Sequence, residues 1–461
     1  MIPNSTHPQS SLGRLEACLD AIQRWQPSVN AMVTTTATAA RSEATAADRA
    51  TAEGRWLGLL HGMPIVVKDN LDTAGVRTTS GSLFFKDHVP NRDAPTVARL
   101  KQAGAVIVGK CTMHEVAFGI RSHNAVTGQA RNPYDLNRVP GGSSGGSGIA
   151  IATGMAEAAL GTDTGGSIRL PAAICGITGL RPTSGRVSNR GCLPVSSSHD
   201  TVGPMASSAL DCARVFAVIA GYDDQDPTSG AQPLENFLPT IGEGIRGLKV
   251  GVPRNHYLDD CSSDVAAAYR ASLAKLESLG ARLVDVTVAG AESIQDEASV
   301  MIFSDAAHLH ADRLKDEARW GSMTLERLKA GLAFSGRDYA RAMRAKESWR
   351  RTMARLFQEV DLLASPTIID EPPLIDDGQS LYRATMSVTK NTYCGAFAGL
   401  PGISVPNGMS RGGMPLGLQL ESAWWGEPVL LRAGYAYQQA TDWHLRRPQM
   451  ATPMSLRACG Q

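Results

Sequence analysis

Apolar residues recur along this chain with two spacings, and each spacing predicts a different kind of element. Between Leu12 and Ile22 they fall at helical intervals, and the Ala-rich text that follows extends the predicted helical segment over about residues 1–56. The run PIVV, between a Gly-Met-Pro turn signal and a Lys-Asp pair, predicts a short buried strand. This strand places Lys68 at its C-terminal end.

A helix followed by a buried strand occurs more than once. TVARLKQAGAVIVGK predicts a helix that ends at Gly104 and a strand beyond it, and SLAKLESLGARLVDVTV repeats this layout around Gly280. The alternation predicts an α/β fold in which a large sheet lies between helices. We expect a single domain over residues 1–461, with a core over about 57–225 and a helix-rich cover over about 264–360.

Composition narrows the class of protein. The 461 residues are 43% hydrophobic, and 45 Lys and Arg nearly balance 44 Asp and Glu, so no strong positive field attracts nucleic acid or an anionic membrane. The first residues, MIPNSTHPQSS, resemble no export signal, and no apolar run approaches the roughly 18 residues of a membrane span. We therefore expect a cytoplasmic monomer or homodimer with no nucleic-acid or membrane partner.

The eight cysteines are dispersed, with no CxxC pair and no Cys/His group at zinc-ligand spacing. This distribution favours reduced thiols, no metal site and no cofactor. The cysteines are Cys18, Cys111, Cys175, Cys192, Cys212, Cys261, Cys394 and Cys459.

The glycine- and serine-rich text from Pro140 to Ala173 is the most unusual part of the chain. A flexible linker would not run on into the apolar segment GIAIATGMAEAAL, and a phosphate-binding loop would carry the GxxxxGK[ST] pattern, which is missing. Consecutive backbone N–H groups in Thr164-Gly165-Gly166-Ser167 instead suit an oxyanion hole, which stabilises the negative charge of an acyl-transfer intermediate.

A hydroxyl beside such a hole needs a base that takes its proton. None of the ten histidines has a recognisable catalytic sequence context, which argues against the commonest Ser-His-Asp layout. His61 precedes the Lys68 strand, and we interpret it as structural. Cys111 and Cys175 have no paired base in their sequence context and are interpreted as buried packing residues. Lys68 remains, because burial at the end of an apolar strand would lower its pKa and leave it neutral.

Several segments together resemble the amidase signature family of serine hydrolases. GGSSGG followed by GTDTGGSIRLP resembles the family signature, and HGMPIVVKDN resembles its lysine segment. The resemblance continues through DAPTVARLKQAGAVIVGKCTMHEVAFG, DTVGPMA and GLPGISVPNG, from about residue 12 to 440. It implies an α/β/α layered fold, with a large mixed central sheet covered by helices on both faces.

The resemblance also implies roles for individual residues. Ser167 matches the nucleophile, Ser143 matches a serine that follows a cis peptide bond and relays the proton, and Lys68 matches the general base. The backbone N–H groups of Thr164, Gly165, Gly166 and Ser167 match the oxyanion hole. Supporting hydrogen bonds are implied for Ser144, Asp163 and Arg169.

The expected activity is hydrolysis of a C–N amide-type bond in a small molecule, with water as the second substrate. For the substrate pocket we expect an apolar lining and an uncharged aryl or alkyl amide, and carbamates (urethanes) or esters are further candidates. The residues expected to line this pocket are Met113, Phe118, Ile168, Ile174, Met386 and Trp424.

Two other functions remain open. The family includes the glutaminase-type A subunit of a tRNA-dependent amidotransferase, which works in a complex and passes ammonia to a partner. The text SIRLP, where that subunit typically has SIRQP, and SGRDYARAMR, where it carries a tyrosine-rich stretch, both favour a free-standing hydrolase. A catalytically silent binding protein would not need the three relay residues, all of which are present.

Metal independence is the first testable prediction. We expect EDTA to leave the rate of amide hydrolysis unchanged, because the oxyanion hole performs the electrostatic task of a metal and no ligand cluster is apparent in the sequence. Activity that disappears on chelation and returns with zinc would contradict this prediction.

Overall fold

One mixed sheet of eleven strands organises the chain in the computed structural model, which describes residues 9–378 and 381–449. The first eight residues and Cys459, on which some of the sequence-based expectations rest, lie outside the described residues. The strands are β1 Met32–Thr35, β2 Pro64–Lys68, β3 Val106–Cys111, β4 His123–Asn124, β5 Gly128–Gln129, β6 Ala158–Asp163, β7 Thr178–Arg181, β8 Thr201–Ala206, β9 Lys249–Pro253, β10 Arg282–Val286, β11 Leu362–Pro366, β12 Gly402–Met409 and β13 Pro415–Ser422.

Four of the helices that the structure describes begin after a serine whose side chain caps the first turn. The Ser262 and Ser208 side chains each accept a backbone N–H of the first turn, and Ser335 forms a capping box with Asp338. The helices are α1 Ser11–Val29, α2 Ala37–Ala52, α3 Pro95–Gln102, α4 Gly145–Ala152, α5 Arg169–Ile174, α6 Ala209–Ile219, α7 Ser263–Ser278, α8 Ala291–Leu309, α9 Ser322–Leu332, α10 Gly336–Glu359, α11 Leu381–Ala398 and α12 Glu427–Gln439.

The sheet has the order β1-β3-β2-β6-β8-β7-β12-β13-β11-β9-β10, and β4 and β5 form a separate hairpin. Strand β2 is parallel to both β3 and β6, whereas the strands from β6 to β11 along this order pair antiparallel, and β9 is parallel to β10 and β11. The expected mixed central sheet is therefore confirmed, and so are the two helix-then-strand units, as α3–β3 and α7–β10.

Both faces of the sheet are covered by helices, because successive strand residues point to opposite faces. In β2, Ile65 and Val67 pack in one buried cluster with α3, α6, α7 and α12, and Val66 packs in another with α1, α2 and α4. A third cluster joins α8, α10 and α11 over the later strands. These layers confirm the α/β/α expectation, and α7 to α10 follow one another within residues 263–359.

Lys68 follows Val66 by two residues, so its side chain leaves the sheet on the face covered by α4. Within the described residues, no helix has the length and apolar character needed to cross a membrane.

Candidate active site

Two neighbouring strand ends bring the sequence-predicted residues together. Strands β2 and β6 are parallel and paired from Ile65–Ala158 to Val67–Leu160, so their carboxyl ends lie at the same edge of the sheet. Lys68 ends β2, and Asp163 ends β6 directly before the loop that carries Ser167. The segment with Ser143 leads into α4 beside this edge.

Lys68 is completely buried, and its Nζ has three oxygen neighbours. Ser143 Oγ lies 2.7 Å away, Thr162 Oγ1 2.6 Å and the Thr162 carbonyl oxygen 3.4 Å. No carboxylate of the described residues lies within ion-pair distance of it. Burial lowers the pKa of Lys68 to about 7, against smaller opposing contributions from Cys192, Asp163 and Asp200. A substantial fraction of this lysine is therefore neutral at physiological pH.

The two serine segments contact each other through the backbone. The peptide bond between Gly142 and Ser143 is cis, and Ser143 is fully buried. The next residue, Ser144, donates its backbone N–H to the carbonyl oxygen of Ser167 over 3.3 Å. Its hydroxyl also donates to the Thr162 carbonyl, over 3.2 Å, so the supporting network expected at Ser144 reaches the Lys68 neighbour.

Ser167 is half-buried and lines a pocket of about 330 Å³ including its open mouth. The pocket walls come from the loop after β6, the segment after β3, α8, α9 and α11. The lining residues are Ala117, Phe118, Gly119, Ile120, Thr164, Gly165, Ser167, Leu170, Val195, Ile302, Arg327, Thr385, Thr389 and Tyr393.

The loop after β6 folds tightly because its glycines permit it. Gly166 has a φ of +135°, and a Cβ there would lie 2.4 Å from Thr392 Oγ1. A Cβ on Gly165 would lie 2.0 Å from the Tyr393 ring. The Gly166 N–H donates to Asp163 Oδ1 over 2.7 Å, whereas the N–H groups of Gly165 and Ser167 find no acceptor among the described residues. The Thr164 N–H also has no acceptor among the described residues, so three of the four amides expected in the oxyanion hole make no hydrogen bond there.

A buried ionic cluster fixes this loop from behind. Asp163 accepts from the backbone of Gly166 and Ile168 and from the guanidinium groups of Arg169 and Arg181. Burial alone would raise the pKa of Asp163, but the two guanidinium groups hold it well below its usual range. Arg169 in turn contacts Glu421 over 3.2 Å. The backbone of the loop is therefore hydrogen-bonded to an ionised carboxylate.

Five of the six residues expected to form the pocket lie elsewhere. Phe118 lines the pocket, whereas Met113, Ile168 and Ile174 are buried in hydrophobic clusters behind it. Met386 accepts from Gln295 through its carbonyl oxygen, and Trp424 stacks on Arg350. The residues expected from the sequence are large apolar side chains near the motifs, and three of them pack in the hydrophobic core instead of lining the pocket.

The other candidate base is hydrogen-bonded to residues outside the site, and the two candidate thiols are protonated. The His61 ring contacts Thr51 Oγ1 at 2.8 Å and accepts the backbone N–H of Leu57, so it has no bond to either catalytic candidate. Burial raises the pKa of the Cys111 and Cys175 thiols, which keeps them protonated. Among residues 9–378 and 381–449, no three His, Cys, Asp or Glu side chains form a cluster that could hold a metal ion.

Three residues of the site were missed by the sequence reasoning. Thr162 lies inside the GTDTGG text, and its place next to Lys68 follows from the parallel pairing of β2 and β6. Arg327 and Tyr393 reach the pocket from α9 and α11. No local signal distinguishes that arginine from the many solvated arginines of the helical cover.

A mixed sheet between helix layers, with a buried lysine and two serines near the ends of neighbouring strands, is the arrangement expected from the family resemblance. A family model described as Amidase matches residues 14–431, and the chain belongs to that family. It is an amidase signature enzyme that hydrolyses amide bonds.

Two related sequences share one name. The chain is 39% identical to the A subunit of glutamyl-tRNA(Gln) amidotransferase from Roseiflexus castenholzii (strain DSM 13941 / HLO8), over 96% of this chain and 94% of that protein. The corresponding protein of Moorella thermoacetica (strain ATCC 39073 / JCM 9320) is 38% identical over 94% of each. These relatives favour the amidotransferase-type alternative more than the free-standing amidase expected from the sequence.

Solved structures with the same fold include proteins with other names. One is a chain of an inhibitor-bound protein complex, described as a vestigial complex that reveals the evolutionary origins of an s-triazine catabolic enzyme. It has a TM-score of 0.89 and is 34% identical, over 94% of this chain and 95% of its own length. The 6-aminohexanoate cyclic dimer hydrolase has a TM-score of 0.87 and 27% identity over 96% of each.

The pH profile should follow the neutral fraction of Lys68, if this lysine is the base. Because it accepts a proton only when neutral, and burial lowers its pKa to about 7, we expect kcat/KM to rise from pH 6 and level off above about pH 8. An unperturbed lysine, with a pKa of about 10.4, would still be rising there.

The midpoint alone does not exclude a histidine, whose ordinary pKa is about 6.5, so two variants complete the test. Lys68→Met should lower kcat/KM by about 100-fold or more and remove this ionisation. His61→Gln should leave the profile in place. A midpoint near 7 that persists in Lys68→Met would remove the lysine from the role of base.

Proposed function

We propose that this chain hydrolyses amides through an acyl-enzyme on Ser167, with Ser143 as proton relay and Lys68 as general base. The contact between Lys68 Nζ and Ser143 Oγ carries the proposal. A neutral amine has two N–H groups and one lone pair. Thr162 supplies an acceptor for each N–H, which leaves the lone pair for the Ser143 hydroxyl proton.

The steps balance without a cofactor. Ser167 Oγ attacks the amide carbonyl carbon and gives its proton to Ser143, which passes its own proton to Lys68. The N–H groups of Gly165 and Ser167 stabilise the oxyanion of the tetrahedral intermediate. When the C–N bond breaks, the proton returns through Ser143 to the leaving nitrogen. Water then repeats the sequence on the acyl-enzyme and releases the carboxylic acid.

Arg327 gives the pocket a positive end, which the apolar lining expected from the sequence did not include. Arg327 is 4% exposed. Its guanidinium donates to Thr385 Oγ1 over 2.8 Å and lies 4.3 Å from the Phe118 ring centroid and 4.5 Å from that of Phe303. No carboxylate of the described residues forms an ion pair with it, and its Nε has no hydrogen-bond partner. A buried guanidinium without a counter-charge favours the binding of a substrate carboxylate.

The lining also limits the rest of the substrate. Apart from Arg327 its polar side chains are hydroxyls, on Thr164, Ser167, Thr385, Thr389 and Tyr393, and it contains no Asp or Glu. A substrate ammonium group would therefore meet no negative partner. We propose an amide of a dicarboxylic acid, or a similar monoanionic amide. Esters of the same acid can use the same acyl-enzyme, since only the leaving atom changes. Carbamates would form the analogous carbamoyl- or alkoxycarbonyl-enzyme on Ser167, which water releases in the same way.

A second candidate function is the glutamine-hydrolysing component of an amidotransferase complex, as in the relatives named above. The likeness over nearly the whole chain supports it, and a carboxylate bound at Arg327 is compatible with glutamine. The described pocket lining has no acidic side chain and includes the apolar Leu170 of SIRLP, and both features favour the first candidate. Under the second candidate, partner proteins would be needed for the full reaction.

Three matched amides separate the candidates. Glutaramate is glutamine without its α-ammonium group, and pentanamide lacks the carboxylate as well. We expect kcat/KM, measured by ammonia release, to be highest for glutaramate and to be lost in Ser167→Ala. Arg327→Met should lower kcat/KM for glutaramate by about 10- to 100-fold, the worth of a buried charge-assisted hydrogen bond, while pentanamide changes by less than about threefold.

Arg327→Lys is the control that retains the charge, and its loss should be smaller than that of Arg327→Met. A preference for glutamine over glutaramate would support the amidotransferase-type function instead. Equal rates for glutaramate and pentanamide would contradict the anionic substrate, and undiminished turnover in Ser167→Ala would contradict the mechanism itself.

A further inference from the structure

Asp200 is a buried carboxylate that lies next to the loop after β6 but belongs to a different part of the chain. It is 7% exposed and directly precedes β8. Its Oδ1 accepts the Thr164 hydroxyl over 2.5 Å, and its Oδ2 accepts the backbone N–H groups of Val195 and Ser196 over 2.8 and 3.0 Å. Both Thr164 and Val195 line the pocket, so one carboxylate connects two of its walls.

The residues that Asp200 holds lead directly to an oxyanion donor. The peptide unit between Thr164 and Gly165 carries the Thr164 carbonyl at one end and the Gly165 N–H at the other. Arg181 Nη1 lies 3.5 Å from this carbonyl oxygen, and its Nη2 donates to the His199 carbonyl over 2.7 Å. The Thr392 hydroxyl donates to the Gly165 carbonyl over 2.7 Å, which holds the next peptide unit, between Gly165 and Gly166. The Gly165 N–H therefore lies between a Thr164 carbonyl that Arg181 contacts and a second peptide unit that Thr392 holds.

We propose that Asp200 is a positioning residue for the reaction, which acts through the Thr164 hydroxyl to hold the Gly165 N–H in the direction of the substrate oxyanion. This inference rests on the proposed function, because it assigns the Gly165 N–H to an intermediate on Ser167. Asp200 itself does not touch the substrate. A preorganised donor is most valuable where charge develops, in the transition state, so loss of the tether lowers kcat more than it raises KM.

Substitutions at Thr164 test the tether without disturbing the packing. Thr164→Val removes only the hydroxyl donor from a β-branched side chain, and Thr164→Ser keeps it. With 4-nitrophenyl butyrate as probe, we expect Thr164→Val to lower kcat about 10- to 100-fold, below the loss of a whole oxyanion donor, with KM changed less than about threefold. Thr164→Ser should remain within about threefold of the wild type.

Asp200→Asn should lower kcat as much as Thr164→Val does. The double variant should be no slower than the worse single variant, because the pair acts as one unit.

Thr367→Val is the matched control. Its buried hydroxyl pairs with Ser404 Oγ at 2.8 Å, away from the pocket lining, and kcat should be unchanged. Thermal melting is recorded for each variant, and the Thr164 pair keeps the test decisive if Asp200→Asn does not fold.

The outcomes separate this inference from the proposed function. Turnover that needs Ser167 but has an unchanged kcat in Thr164→Val would overturn the positioning role alone. An equal kcat loss in Thr164→Ser, or a loss confined to a higher KM, would also overturn it. Turnover that persists in Ser167→Ala would overturn the proposed function, and the role of Asp200 with it.

Discussion

The burial of Lys68 is the constraint on which the rest of the site depends. A lysine in an interior position is stable only when it is neutral or paired. Here, with no ion-pair partner in the described structure, burial lowers its pKa to about 7. The two oxygens of Thr162 satisfy its N–H groups, and the remaining neighbour is the Ser143 hydroxyl. In the proposed mechanism, this burial without a counter-charge is what allows Lys68 to act as the base.

Asp163, on the other side of the loop, is a buried group that stays charged, in contrast to Lys68. Asp163 is equally buried, yet two guanidinium groups keep it ionised, and it uses that charge to hold the backbone of the loop. Its bond to the Gly166 N–H turns this amide away from the pocket and leaves those of Gly165 and Ser167 free. A buried ion network therefore fixes the direction of the backbone donors, and in the proposed mechanism a buried neutral amine accepts the proton.

The elements that could be predicted from the sequence are those whose signals lie within a short stretch of chain. The strand that ends at Lys68, the α3–β3 and α7–β10 units and the layered fold follow from apolar runs and turn residues. The pocket did not follow, because Arg327 and Tyr393 arrive from helices far along the chain, and their contacts depend on how α9 and α11 pack over the sheet. Most of the apolar residues chosen for the lining, such as Met113, serve the core instead. The roles of Ser143 and Ser167 came from family resemblance and remain proposals.

Direct capture of the acyl-enzyme is the measurement closest to the central claim. Wild-type protein and Ser167→Ala would be mixed with 4-nitrophenyl butyrate, quenched in acid within the first turnovers, digested and analysed by mass spectrometry. The account predicts a butyryl group on Ser167 of the wild type and none on the matching peptide of the variant. A wild-type enzyme that turns over with the butyryl group on another residue, such as Cys175, would contradict it.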